Sequence, residues 1–559
     1  MSVVPGTANV SGSATFRVPT EVWEQVFHEF HDNNYTSSGQ IDWRGYAYRH
    51  RDHVPGALAT LQSLRLTCRL FNRIASPLLC TFLRLELSQA SLDRLTGLSK
   101  NALIIKGLRG LQLSLAYRPT ELARDIASYM RNKLETLNFQ FVPHCEIETE
   151  SLSRSSTTQD NDLRGFRLFK CLDEYEALSS AWENYIQGQD PHPCPQDLEP
   201  HQRVLRQSFE SYKSLHEEQF DLLMSGSFVN TIASTTAKTQ HPIALSIHDH
   251  IFWYSDDNDF SDEDYSTELI LNREKLSRFL LQPHSWEEIE IMVGEPMILP
   301  IRILVDLPIA IHEAGGCLDS LSLDCFSSAW RNVPMDYSHG SYSESPWSQL
   351  KAACQQLRVF EFGSWIMNEQ GSTRHNVKAE DKFYVDKYVS VMLASPNLKC
   401  ATIDMACLKL EENYYCLQTY LSQNSSSSLQ KLALEYVHLS QRDLEALCRM
   451  LGPKPVLVQI SVTTLLDGSW SGALEMLRSQ VRPSSRSREC KVSFFHLAGG
   501  EFGVVPEFDF GTDDDDDDDD NDDNDESQVE VPGEYDKMIS RAEQYVLGSS
   551  DSVSYSQES

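Results

Sequence analysis

Apolar residues along this chain fall into two alternating patterns, short runs of period two and longer stretches of period 3.6, which read as strands and amphipathic helices. LRLEL at 83–87 sets Leu83, Leu85 and Leu87 against Arg84 and Glu86, the alternation of a half-buried strand. A helical pattern, SLDRLTGLSK, follows. Then come a strand pattern LRGLQLSL at 108–115, a helix pattern ELARDIASYMRNK and a strand pattern LETLNFQF at 134–141. Equating Leu85, Leu113 and Phe139 gives spacings of 28 and 26 residues, one strand and one helix per period. Between 142 and 310 the rhythm lapses. FRLFKCLDEYEALSSAWENYI and VLRQSFESYKSLHEEQFDLLMSGSF read as long helices, IALSIHD and EEIEIMVG as strands. SLSRSSTTQDND at 151–162 and the acidic SDDNDFSDEDYS at 255–266 read as loops.

The rhythm resumes in LDSLSLD at 318–324, LRVFEFG at 357–363, LKCATIDM at 398–405, LQKLALEYVHL at 429–439 and PVLVQISV at 455–462. Each carries the stencil L-x-x-L-x-L. Equating Leu323, Phe362, Ile403, Leu434 and Ile460 gives spacings of 39, 41, 31 and 26 residues. DKYVSVMLAS, YYCLQTYLSQ, QRDLEALCRML and SGALEMLRSQ supply helix patterns between them. The fold class is therefore α/β, with residues 83–500 expected to form an irregular leucine-rich-repeat-like solenoid. A plain α/β domain with parallel strands is the alternative. Residues 501–559 read as an acidic, disordered tail, because Asp513 to Glu526 holds 12 acidic residues in 14. Within it, EYDKMISRAEQYVLG at 534–548 puts Tyr535, Met538, Ile539, Ala542, Tyr545 and Val546 on one helical face. Such a helix docks back on the body, binds a partner, or forms only transiently.

Ahead of the first strand the pattern is helical. Residues 1–15 are small and polar and read as disordered. Pro19 suits a first helical turn and Thr20 a cap, after which Val22, Trp23, Val26, Phe27 and Phe30 make one broad apolar face. A second helix runs through Leu58, Leu61 and Leu64. Thr67 is the expected cap of a third, carrying Leu70, Phe71, Ile74 and Ala75 and stopped at Ser76-Pro77, since a residue before proline is pushed out of the helical region. Val18-Pro19-Thr20-Glu21-Val22-Trp23 with Val26-Phe27, then Leu64-Arg65-Leu66-Thr67-Cys68-Arg69-Leu70-Phe71-Asn72 and Ile74-Ala75-Ser76-Pro77-Leu78-Leu79, resemble the F-box. The wording is closest to F-box proteins of filamentous fungi, which often carry leucine-rich-repeat-like bodies. Val18 stands where the family usually has Leu, and the spacer from Tyr35 to Ala59 is longer than usual. The resemblance covers residues 16–82, with an inserted loop at about 35–59, and implies a three-helix module that docks on a Skp-type adaptor, which joins a cullin–RING ubiquitin ligase. The positions it carries over are Val18, Pro19, Val22, Val26, Phe27, Leu61, Leu64, Leu66, Cys68, Leu70 and Phe71.

Composition narrows the partners. The net charge of −33 over 559 residues is uneven, with −19 falling in residues 501–559. Nucleic acid is not an expected partner, since phosphate binding needs clustered Lys and Arg. MILPIRILVDLPIAI at 297–311 is interrupted by Arg302, Asp306 and two prolines, so no membrane span is expected. The N-terminus lacks a basic region and an apolar core, so no secretory signal is expected either. Thirteen cysteines without a CxxC pair suit reduced thiols in a cytoplasmic or nuclear protein.

Catalytic patterns fail one by one. His28-Glu29-Phe30-His31 is one residue short of the HExxH zinc spacing. His248-Asp249-His250 at a strand end points both imidazoles to one side but lacks further ligands nearby. His192 and Cys194 sit in a proline-rich loop, and Gly468-Ser-Trp-Ser-Gly472 has Trp470 where a nucleophile would stand. No catalytic residue, metal or cofactor is expected. The expected role is a substrate receptor of an SCF-type ligase, binding the adaptor through the F-box and a protein substrate, basic if the tail takes part, through the body. The alternatives are a non-catalytic scaffold, or a histone-chaperone-like binder of basic proteins acting through its acidic tail.

Overall fold

The computed structural model describes residues 19–28, 57–139, 159–187, 200–250, 269–293, 297–327, 346–363, 375–376, 379–406, 408–410, 413–419, 428–485, 490–503 and 534–550. Three short helices, α1 (Thr20–His28), α2 (Ala57–Leu64) and α3 (Arg69–Ala75), precede the sheet. Its strands are β1 (Phe82–Glu86), β2 (Gly110–Ser114), β3 (Ile243–His248), β4 (Leu318–Leu323), β5 (Val359–Phe362), β6 (His375–Asn376), β7 (Cys400–Asp404), β8 (Leu408–Leu410), β9 (Asn413–Leu417), β10 (Lys431–Leu439), β11 (Leu457–Leu465) and β12 (Lys491–Ala498). Nine of them, β1, β2, β3, β4, β5, β7, β10, β11 and β12, lie side by side in chain order and all parallel. β9 pairs with the end of β10 beyond the point where β7 stops. β8 runs antiparallel to β9, and β6 pairs with β8.

Register explains why the stencil is legible. One row of partners crosses all nine strands as Leu85, Leu113, Ile247, Leu323, Phe362, Ile403, Leu434, Ile460 and Phe494, every one buried. The five residues equated in the C-terminal half, and the pair Leu85 and Leu113, are direct partners in it. Two residues earlier runs a second apolar row, from Leu83 and Leu111 to Val458 and Val492. Both rows face the helices, and the residues between them alternate to the other face. Leu434→Ala is expected to cost about 2–5 kcal/mol, against roughly 0.5 kcal/mol for Thr402→Ala on the other face, read as urea midpoints.

The helices are α4 (Gln89–Ser99), α5 (Thr120–Arg124), α6 (126–139), α7 (Gln159–Gln187), α8 (Pro200–Met224), α9 (Ser227–Thr236), α10 (Arg273–Leu280), α11 (Trp286–Val293), α12 (Ile303–Glu313), α13 (Pro346–Ala353), α14 (Ala379–Leu393), α15 (Gln441–Arg449), α16 (Trp470–Ser485) and α17 (Glu534–Val546). Leu92 and Leu95 of α4, Phe228 and Ile232 of α9, Tyr388 of α14, Leu444 of α15 and Leu477 of α16 share one core with the sheet. A second core lies in the segments before and after β3. It is built from Tyr129 and Leu137 of α6, Leu168 and Trp182 of α7, Leu205 and Tyr212 of α8, and Phe279 and Leu280 of α10. This helical insert is why the period lapses.

Four expectations are corrected. LETLNFQF is not a strand: residues 126–139 are helix, with Leu137 in the second core and Phe139 77% exposed. Leu113 pairs instead with Ile247 of β3. EEIEIMVG belongs to α11, because Trp286 and Ile289 bury at helical spacing behind a capping box. There, the Ser285 hydroxyl accepts from the Glu288 N–H at 3.2 Å, and the Glu288 carboxylate accepts from the Ser285 N–H at 2.8 Å. Of YYCLQTYLSQ, read as helix, residues 414–417 belong to strand β9, held extended by two buried carboxylates, and residues 420–423 lie outside the described residues. Asp386 accepts from the Tyr415 hydroxyl (3.0 Å) and Gln418 N–H (3.2 Å), and Asp443 from the Thr419 N–H and hydroxyl at 2.8 Å each. Gln159 to Asp162, read as loop, open α7; residues 151–158 and 255–266 lie outside the described residues.

In the C-terminal segment the helix read from the apolar face is present, and of its three fates the docked one is seen. Residues 534–546 are a helix packed on the body rather than a disordered stretch of the tail. Ala542 and Val546 are fully buried, and Tyr535, Met538, Ile539 and Tyr545 pack beside them, so all six residues of the apolar face are engaged. Residues 504–533, with the acidic run, lie outside the described residues, as do residues 1–18.

Candidate functional site

The three N-terminal helices are built by local signals that differ from those expected. The Pro19 carbonyl accepts from the Val22 and Trp23 N–H groups at 3.2 and 3.4 Å, so Thr20 is the first helical residue and Pro19 precedes it. Cys68, not Thr67, caps α3: its Sγ accepts from the Phe71 N–H at 3.5 Å, while the Thr67 hydroxyl turns back to the Leu64 carbonyl at 2.8 Å. Ser76 does not leave the helical region before Pro77. Its N–H goes to the Asn72 carbonyl and its hydroxyl to Asn72 Oδ1 (2.7 Å), which holds φ −60° and ψ −41° and passes the chain into a 3₁₀ turn over Ser76–Leu79.

These helices close around aromatic rings. The Phe71 ring meets Trp23 at 4.9 Å and Phe27 at 5.0 Å between centroids, both edge-on. Phe27, Leu61, Ile74 and Ala75 are buried, with Leu64, Leu70 and Phe71 packed against them. The apolar face of α1 is too wide for one contact. Its Trp23–Phe27 side turns inward, while Val22 and Val26, four residues apart, stay 43% exposed. Leu66 is 79% exposed, and Pro19 and Cys68 are exposed as well. The eleven sequence-derived positions thus divide. Phe27, Leu61, Leu64, Leu70 and Phe71 hold the unit together, while Pro19, Val22, Val26, Leu66 and Cys68 lie on its outside. Val18 is outside the described residues. Leu58, half exposed on α2, joins the outer set and was missed because it continues the apolar spacing of Leu61.

The unit is fixed to the sheet through Gly107, at the end of a 3₁₀ turn before β2. A β-carbon there would fall 1.7 Å from the Pro77 carbonyl oxygen, so only glycine lets the two 3₁₀ turns approach.

The other face of the sheet is only partly accessible: Gln112, Ser246, Ser322 and Ala433 are buried, Arg84, Glu361, Thr402 and Gln459 half-buried, and Ser493 exposed. Opposite the apolar rows stands Arg84, Gln112, Ser246, Ser322, Glu361, Thr402, Ala433, Gln459 and Ser493, one residue per strand. Toward the carboxyl ends of the last three main strands, Tyr436, Val462 and His496 share one register line, each with positive φ (53°, 45° and 49°). A β-branched residue in that region is strained by about 1–3 kcal/mol.

The candidate chemistry resolves into structure. The His248 and His250 rings stack at 3.9 Å, and His248 Nδ1 faces the His250 carbonyl at 3.0 Å. Burial holds both imidazoles well below their ordinary pKa, His250 at about 4. In the helical insert, Lys133 Nζ lies 3.3 Å from His284 Nε2, and His284 Nδ1 faces Glu288 at 3.5 Å. Burial brings Lys133 down to about 7 and His284 to about 4. Lys133, Arg118 and Tyr129 all donate to carbonyls of residues 280–282, pinning the turn between α10 and α11. Trp470 is the first residue of α16, whose opening N–H groups are capped by the Glu501 carboxylate (2.7 Å from Trp470 N). Of the His28-Glu29-Phe30-His31 pattern only His28, the last residue of α1, is placed, and residues 29–31 lie outside the described residues, as does the loop of His192 and Cys194 at 188–199. Among the described residues no group of three or more His, Cys, Asp and Glu is placed to hold a metal ion, and no helix is long and apolar enough to cross a membrane. No protein-family model matches the chain, and the search of curated proteins returns no match.

Proposed function

We propose that this chain is the non-catalytic substrate receptor of an SCF-type cullin–RING ubiquitin ligase, with an F-box formed by α1–α3 and a leucine-rich-repeat-like body. The observation that carries the reading is the division within the N-terminal unit: an aromatic interior of its own, with Val22, Val26, Leu58 and Leu66 left outside on short helices. Val22 and Val26 stand one turn apart on α1, and neighbouring apolar side chains held exposed on a folded unit offer a protein contact. Such a contact suits the Skp-type adaptor that the sequence resemblance implies. For the body, nine parallel strands in unbroken chain order support a repeat reading over a doubly wound sheet, where chain order reverses at a switch point. The stretch of the other sheet face left accessible, with Glu361, Thr402, Gln459 and Ser493, is then the surface offered to the substrate.

The test separates interior from surface. Val22→Glu with Val26→Glu keeps the Phe27–Phe71 interior and is expected to abolish adaptor capture in affinity purification with little change in melting temperature. Phe27→Ala should remove capture by melting the unit, at a cost of about 3–5 kcal/mol. Full adaptor capture by the folded double variant would sink the reading. Cullin in the same eluate distinguishes a receptor from a scaffold that stops at the adaptor.

A further inference from the structure

Among the described residues, the non-glycine positions with positive φ are Tyr436, Val462 and His496, and they stand side by side on β10, β11 and β12. Strain repeated on one register line is held by the packing around it and changes what the strands present. Burial shows the change. The row ahead of the line, Leu434, Ile460 and Phe494, is buried, and strict alternation would leave one residue outside and bury the left-handed ones next. The strands instead bury Val437, Thr463 and Leu497, one step later. Two consecutive residues per strand therefore stay accessible: Glu435 and Tyr436, Ser461 and Val462, Phe495 and His496.

The doubled row carries an apolar strip beside the polar Thr402, Gln459 and Ser493. Tyr436 and Val462 are half-buried, Phe495 is 54% exposed, and the His496 ring stands edge-on to Phe495 at 3.7 Å. The charge at this level is negative. Glu435 lies in the row and accepts from Gln459 Nε2 at 2.9 Å, Asp404 is its register partner on β7, and Asp536 of α17 is within electrostatic reach of His496. Lys431 and Lys491, the cations of β10 and β12 on this face, stand four residues back, about 13 Å along the strands.

Resting on the receptor reading above, we propose that this strip takes an extended segment of a protein substrate in which an apolar residue and a Lys or Arg stand two apart. The apolar side chain lies on Val462 and Phe495, and the cation reaches Glu435 and the Tyr436 ring. The dimensions agree. From β10 to β12 is two strand spacings, about 10 Å, and same-side residues of an extended segment repeat every ~7 Å, the rest being within reach of a long cationic side chain. A second copy of this chain, with net charge −33, has the wrong sign for this level of the sheet.

The probe is a fluorescein-labelled peptide of three Arg-Ser-Leu-Ser repeats, added to the full chain without adaptor and followed by fluorescence anisotropy. One comparison peptide has Glu for Arg, and another has Ser for Leu, which measures attraction by charge alone. The Arg–Leu peptide is expected to bind about tenfold more tightly than either. Phe495→Ser and Glu435→Gln should each weaken it by about fivefold, while Phe166→Ser, which removes a 70% exposed phenylalanine of α7, leaves it unchanged. Val462→Asn separates docking from folding, because asparagine enters the left-handed region more readily than valine. It should weaken the peptide while the urea midpoint does not fall. Equal binding of the three peptides, binding indifferent to Phe495→Ser, or a Val462→Asn midpoint that falls would overturn the proposal. Adaptor capture by the unaltered chain is read in parallel, and its absence would count against the receptor reading and not against the strip.

Discussion

Gly107→Ala is expected to separate the N-terminal helices from the sheet. The added methyl would sit 1.7 Å from the Pro77 oxygen and 2.4 Å from its carbonyl carbon, both backbone atoms, so no side chain can swing aside. Relief requires the whole Ser76–Leu79 turn to shift, and with it α3. The cost is expected at the upper end for overpacking, about 3 kcal/mol or more. Limited proteolysis should then cleave before Phe82 while the sheet stays protected, and adaptor capture should fall with it. Gly97→Ala is the control of opposite sign. It lies in α4 with nothing within 4 Å of the new β-carbon, so it should stabilise by about 0.5–1 kcal/mol. Equal melting temperatures and equal protease patterns for the two variants would show that the Gly107 contact does not join the units.

The second large effect is with pH. His250 and His284 are held neutral, burial bringing each to about 4 against 6.5 for a free imidazole, and burial holds His248 well below its ordinary value too. Between pH 6.5 and 4 the unfolded chain binds protons that the folded chain does not, so stability falls as the pH drops through this window. Each of the two groups accounts for about 3 kcal/mol, at ~1.4 kcal/mol per pH unit. Lys133 extends the slope to the alkaline side. With its ammonium brought to about 7 by burial, opposed by Glu288, the folded chain releases a proton that the unfolded chain keeps up to about 10.5. Stability should therefore keep rising from pH 7 to 8 instead of reaching a plateau. Urea midpoints at pH 4.5, 5.5, 6.5, 7.2 and 8 read both limbs. His250→Gln should flatten the acid limb and Lys133→Met the upper one. A flat profile from pH 5 to 8 would contradict both.

The strand order was legible because the apolar stencil marks residues that become register partners. Leu323, Phe362, Ile403, Leu434 and Ile460 are one row in space as they are one position in the pattern. The helical insert hid itself for a physical reason. Leu134 and Leu137 stand three apart, which suits helix, while Leu137 and Phe139 stand two apart, which suits strand, and the second core decided between them. In EEIEIMVG the signal was available in Ser285 and Glu288, whose capping-box spacing marks a helix start. At the candidate site, sequence located the apolar residues of α1–α3 but could not sort them, because Val22 and Phe27 belong to one continuous apolar arc until packing divides it. Gly107 carries no local signal. Its need for a missing side chain arises from Pro77, thirty residues away.

The Phe502 and Tyr535 rings lie 6.3 Å apart, so the chain leaves and rejoins the body at one place. Residues 504–533 therefore join two neighbouring points, and the peptide bonds within them do a kinetic job. While they are intact, α17 and its groove belong to one molecule, so their encounter does not depend on how dilute the protein is. One proteolytic cut among them would leave every contact of α17 in place but make the helix a separate ligand, retained or lost according to dilution.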